Sequence, residues 1–111
     1  MSKIAVQIED ARDLPRALSA LREVEPDAST ADLRARIAAR APVLEYTLFR
    51  NDYPLVASKL RAIIQSLPDS GATLRLFEYP EEDSFEAVDQ STHEISIETL
   101  NNILRSADEY E

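Results

Sequence analysis

The sequence predicts a two-layer α+β sandwich. A three-stranded sheet lies under one layer of helices, in the order strand-helix-helix-strand-helix-strand, with an appended C-terminal helix. Residues 3–9, 43–50 and 72–79 alternate apolar and polar side chains, which is the period of a half-buried strand. The segments between them carry apolar residues three and four apart, the period of a helix. Each strand run has a single apolar face, so helices are needed on one side of the sheet only.

The elements follow in order. Lys3 to Glu9 places Ile4, Val6 and Ile8 on one face and Ala5, Gln7 and Glu9 on the other. Asp13-Leu14-Pro15 opens the first helix, with Asp as N-cap and Pro in the first turn. Its stripe is Leu14, Leu18 and Leu21, and Pro26 stops it. Ser29, three residues before Asp32, is the start signal of a second helix. Its narrow stripe of Leu33, Ile37 and Ala41 ends at Pro42. Val43 to Arg50 turns Leu44, Tyr46 and Leu48 to one face. Asn51-Asp52-Tyr53-Pro54 repeats the Asp-x-Pro device and opens the third helix, whose stripe is the widest: Val56, Leu60, Ile63, Ile64 and Leu67. Pro68-Asp69-Ser70-Gly71 ends it in a turn. Ala72 to Tyr79 turns Leu74 and Leu76 inward, and Thr73, Arg75 and, on the same parity, Phe77 outward. The last helix is expected to be capped within Ser91 to Glu94 and to carry the stripe Ile97, Leu100, Ile103 and Leu104.

Leu18, Leu21, Leu44, Leu60, Ile64 and Leu74 are expected to meet in one core, because their stripes face one layer boundary. The second sheet face, bearing Gln7, Glu45, Thr47, Thr73 and Arg75, is expected to meet solvent or a polar partner.

Charge is distributed unevenly. Residues 1–80 hold 11 acidic and 11 basic side chains, whereas residues 81–111 hold 10 acidic ones and only Arg105, so the net −9 sits in the last 31 residues. The chain therefore reads as a compact body (1–80) and an acidic loop with a C-terminal helix (81–111) in the same domain. The densest run is Glu81-Glu82-Asp83, followed by Phe85, Glu86 and Asp89. A run of this kind is either a solvated loop or an acidic arm that meets a basic partner. Phe85, a large apolar group among carboxylates, either tucks back onto the body or anchors a partner. Glu81, Glu82, Asp83, Phe85, Glu86 and Asp89 are the candidate partner-binding residues. The other aromatics near turns or the tail are Tyr53, Tyr79 and Tyr110.

Composition excludes several chemistries. With no cysteine there are no disulfides, thiolate nucleophiles or thiolate metal sites. With one glycine, Gly71, there is no glycine-rich phosphate loop. A triad would have to be built on His93, the single histidine, which sits in the acidic segment beside Glu94. Glu81, Asp83, Glu86 and Asp89 lack the spacing of a calcium loop. The arginines of the helices, Arg12, Arg16, Arg22, Arg34, Arg36 and Arg40, are interleaved with Asp13, Glu23, Asp27 and Asp32, a mixed field that reads as a solvated helix face rather than a phosphate site. The net charge argues against nucleic acid, and no apolar stretch approaches the roughly 20 residues of a membrane span. No catalytic, cofactor-binding or metal-binding residue is expected, and the chain is expected to be cytoplasmic.

Three resemblances add to this. The element order, Leu14-Pro15-Arg16-Ala17-Leu18-Ser19-Ala20-Leu21-Arg22, and Ala57-Ser58-Lys59-Leu60-Arg61-Ala62-Ile63 followed by Gly71-Ala72-Thr73-Leu74 resemble the C-terminal domain of the bacterial ribosomal stalk protein. The Clp protease adaptor is similar in topology. The stalk family binds its factors at a glycine- and lysine-rich bend, which here reads Glu25-Pro26-Asp27-Ala28-Ser29-Thr30. The adaptor's recognition pocket uses an Asn-Asp pair after the first strand and a helical histidine; here Glu9-Asp10 stands in that place and the body holds no histidine. The resemblance therefore implies the fold and not the recruiting function. As a small, acidic, cysteine-free chain the protein also resembles toxin-neutralising immunity proteins, which implies a non-enzymatic module and a partner with a basic surface. A stalk-like or adaptor-like module that recruits a cellular factor is the alternative.

Overall fold

The computed structural model describes residues 1–109. The chain runs β1 (Ser2–Ala11), α1 (Leu14–Val24), α2 (Thr30–Ala38), β2 (Leu44–Thr47), α3 (Tyr53–Asp69), β3 (Ala72–Pro80), α4 (Gln90–His93), β4 (Glu94–Ile95), α5 (Ile97–Leu104) and a 3₁₀ turn (Arg105–Glu109). The sheet has four strands in the order β2-β1-β3-β4, and every neighbouring pair is antiparallel. The expectation of three strands is therefore corrected to four. The added strand is two residues long and pairs Ile95 with Leu76 and Glu94 with Phe77. A two-residue strand shows no alternation. It forms because the outer edge of β3 would otherwise leave its backbone groups without a ladder partner.

Two of the three local start signals cap as expected, whereas Asp52 stands at the start of α3 with Pro54 in the first turn but makes no side-chain capping bond. Asp13 accepts a hydrogen bond from the Arg16 amide at 3.2 Å, and Ser29 from the Asp32 amide at 3.3 Å. The last helix differs. Its cap is Ser96, whose hydroxyl accepts from the Thr99 amide at 3.0 Å, whereas residues 90–93 form the separate short helix α4 capped by Asp89. Two elements are shorter than their periodicity. Helix α2 ends at Ala38 and β2 ends at Thr47, each just before a residue in the left-handed region, Arg40 (φ 56°) and Phe49 (φ 62°).

The helices cover one sheet face. Ile4, Val6 and Ile8 of β1 and Leu76 of β3 pack there against Leu18 and Leu21 of α1, Leu33 of α2, and Leu60, Ile63 and Leu67 of α3. Helix α5 joins the same cluster through Leu100 and Leu104. Its end is tied to α3 by Tyr53, whose hydroxyl donates to the Ile103 carbonyl at 2.9 Å, and by Arg61, which donates to the Leu104 carbonyl at 2.8 Å. Of the expected core set, Leu18, Leu21, Leu44, Leu60 and Ile64 are buried. Leu74 is only half-buried, because β4 begins opposite Leu76 and leaves this stretch of β3 at an open edge.

The second sheet face is not open along its whole length. Ala5, Phe77, Tyr79 and Phe85 form a separate buried cluster there, with Val88 packed against it. The segment after β3, residues 81–89, lies across this face as a strap.

Candidate functional site

Two turns shape the strap. The Asp83 amide donates to the Pro80 carbonyl and the Ala87 amide to the Ser84 carbonyl, both at 3.0 Å. Within the second turn Phe85 points at the sheet and is 4% exposed. Its ring meets Phe77 edge-on at 5.1 Å and lies 6.4 Å from Tyr79, the geometry aromatic pairs prefer. Phe85 is thus a packing residue. The structure shows the arrangement in which it tucks onto the body.

The six candidate residues divide by what they touch. Glu81 is used inside the fold: its carboxylate accepts from Arg50 Nη2 at 2.6 Å, lies 3.7 Å from the Met1 amino group, and is held below its ordinary range chiefly by the Arg50 hydrogen bond. Asp89 caps α4, accepting from the Ser91 hydroxyl at 2.7 Å and its amide at 3.1 Å, and those bonds lower its carboxyl in the same way. Glu82, Asp83 and Glu86 are exposed. Among the described residues no cation forms an ion pair with any of the three.

Lys3 is the cation that holds the strap. Its ammonium donates to the Asp83 backbone carbonyl at 2.8 Å, stands 5.0 Å from the Tyr79 ring centre and lies 3.8 Å from Glu45. Tyr79 is 2% exposed, and its hydroxyl has no hydrogen-bond partner among the described residues. Burial, with Glu45 and Glu86 nearby, pushes its phenol up to about 12. The pattern reading missed this layer. The available signal was Phe77 and Tyr79 at i and i+2 on the outward parity, an apolar pair that needs a cover, with Phe85 a few residues on to supply it.

Elsewhere the chemistry is sparse. His93 Nδ1 lies 2.9 Å from the Asp89 carbonyl and 3.1 Å from the Thr92 hydroxyl at the end of α4, while its neighbour Glu94 is bonded to Arg75 at 2.8 Å. Among the described residues no group of three or more His, Asp and Glu side chains is placed to hold a metal ion. The arginine-bearing helices form a shallow groove of about 420 Å³, with Arg22 and Arg34 beside Glu23, and Arg36 is paired with Asp32 at 3.0 Å. Tyr110 lies outside the described residues. No helix among them is long and apolar enough to cross a membrane. Comparisons of the chain with family models, with curated proteins and with solved structures return no match.

Proposed function

We propose that the chain is a non-enzymatic protein-binding module and that the strap 81–89 is its docking surface for a partner with a basic face. One observation carries this reading. Phe85 pins the strap to the sheet, so Glu82, Asp83 and Glu86 are presented as a fixed, unpaired acidic array. Ordering that array is completed in folding and does not subtract from association. The body is electrically balanced while residues 81–111 carry the excess, so the long-range field that steers a basic partner originates here. The specific form we propose is an immunity protein that covers the basic active site of a toxin. Its support is the small, acidic, cysteine-free chain and the surface just described.

The test begins with affinity capture from the source cell, followed by stopped-flow association of the captured protein. The variant carries Glu82→Gln, Asp83→Asn and Glu86→Gln, none of which touches the packed cluster. At low salt it is expected to associate about tenfold more slowly or worse, with a flatter salt dependence. Equal rates and equal salt slopes for variant and wild type would remove the strap from the interface.

A further inference from the structure

We propose that the strap opens as a unit while the rest of the fold stays intact, with Phe85 as its latch and the buried Tyr79 hydroxyl biasing it toward opening. This gates the acidic surface, because Glu82, Asp83 and Glu86 form a fixed array only while Phe85 is seated. The gating clause rests on the reading above, and the opening itself does not.

The argument starts from what holds the strap down. Of its nine residues, Phe85 alone is buried, with Glu81 and Val88 half-buried. The cluster beneath it is separate from the main core and lies on the opposite sheet face. Lifting residues 82–88 therefore disturbs no contact of the helical layer. The Ser84–Ala87 turn lies within the lifted segment, whereas the Pro80–Asp83 turn begins on β3 and forms its hinge. The polar tie that breaks between them is Lys3 to the Asp83 carbonyl. The anchors at either end remain: Glu81 with Arg50 and the N-terminus, and Asp89 as the cap of α4, beyond which β4 stays in the sheet.

One feature opposes closure. The Tyr79 hydroxyl is buried without a hydrogen-bond partner among the described residues, a desolvation cost that disappears once the strap lifts and water reaches it. A segment closed by one buried aromatic ring and the half-buried Val88 against this term belongs to the low-stability end of a fold.

The absence of cysteine from the chain makes thiol labelling the direct test. Ala5 lies fully buried under the strap and Ala17 fully buried in the main core. With Ellman's reagent, Ala5→Cys is expected to react faster than Ala17→Cys and with little urea dependence, since its exposure needs only the strap to lift. Adding Tyr79→Phe should slow the Ala5→Cys reaction about tenfold, because the closed state no longer buries an unpaired hydroxyl. Adding Phe85→Ala should speed it about a hundredfold or more. Should Ala5→Cys fail to fold, nitration of the unsubstituted chain serves instead: Tyr79 is expected to react before the fully buried Tyr53.

Equal rates and equal urea dependence at positions 5 and 17, or equal nitration of Tyr79 and Tyr53, would overturn the opening. A Tyr79→Phe chain that labels no more slowly would overturn the role of the hydroxyl. None of these measurements needs a partner. A strap that opens in a chain with no basic partner would leave this inference standing and remove the acidic-surface reading. A strap that stays shut in a chain whose partner is steered by Glu82, Asp83 and Glu86 would do the reverse.

Discussion

Glu25 is where a single side chain joins three elements. It follows α1, and its carboxylate accepts from the Tyr46 hydroxyl of β2 and the Lys59 ammonium of α3, both at 2.7 Å. Burial by itself would raise its pKa, but the bonds from Lys59 and Tyr46 and the charge of Lys59 outweigh it and hold the carboxyl below its ordinary 4.5. A carboxylate lowered on folding stabilises the native state above its unfolded pKa, and that contribution is lost as pH falls through the folded value. Glu25→Gln should therefore unfold at lower urea than wild type near neutral pH, and the gap should close as the pH falls below about 4. Gly71 is the second such residue. Its φ of 90° turns the chain from α3 into β3, and a Cβ there would meet Arg12 Cβ at 3.2 Å. Gly71→Ala is expected to cost about 1–3 kcal/mol in denaturant unfolding. The turn was legible because Gly71 follows Pro68-Asp69-Ser70. The Glu25 network was not, because its partners lie 21 and 34 residues away.

Among the elements, the helices were read best and the last 30 residues worst. Helix α3 carries its own signals, an Asp-x-Pro opening and a wide stripe that buries Val56, Leu60, Ile63, Ile64 and Leu67. Helix α5 has a comparable stripe, but its cap is Ser96 and not a residue of 91–94. That shift depends on residues 94–95 joining the sheet, which separates residues 90–93 from the last helix. That pairing is reinforced from the side: Arg75 donates to Glu94 at 2.8 and 3.3 Å and stands 5.3 Å from the Phe77 ring centre. The docking of α5 gives the next expectation. Leu104 is fully buried in the main cluster, so Leu104→Ala should lower the unfolding free energy by about 2–5 kcal/mol. A loss below about 0.5 kcal/mol, the size of an ordinary surface change, would mean that α5 folds outside the cooperative unit.

At the scale of the molecule, the excess negative charge is the dominant field. Net charge far from zero destabilises a compact state by self-repulsion, and salt screens it. The exposed pairs that salt also weakens, such as Asp32–Arg36, contribute little each. The urea midpoint should therefore rise between ~20 mM and ~0.5 M sodium chloride. The rise should be smaller in the chain carrying Glu82→Gln, Asp83→Asn and Glu86→Gln, and an equal rise in both chains would place the repulsion elsewhere. The sequence by itself determined the α+β class, the Asp13 and Ser29 caps, the stripes of the long helices and the position of the acidic run. Each depends on residues within a turn or two of one another, where propensity and periodicity act. Only the tertiary structure decided that a fourth strand pairs with part of the edge of β3, that Phe85 covers Phe77 and Tyr79, and that of five carboxylates in the strap two are used by Arg50 and by α4 while three have no ion-pair partner among the described residues. Those outcomes depend on which distant surfaces meet. Burial and ion pairing are properties of that meeting and leave no period in the chain.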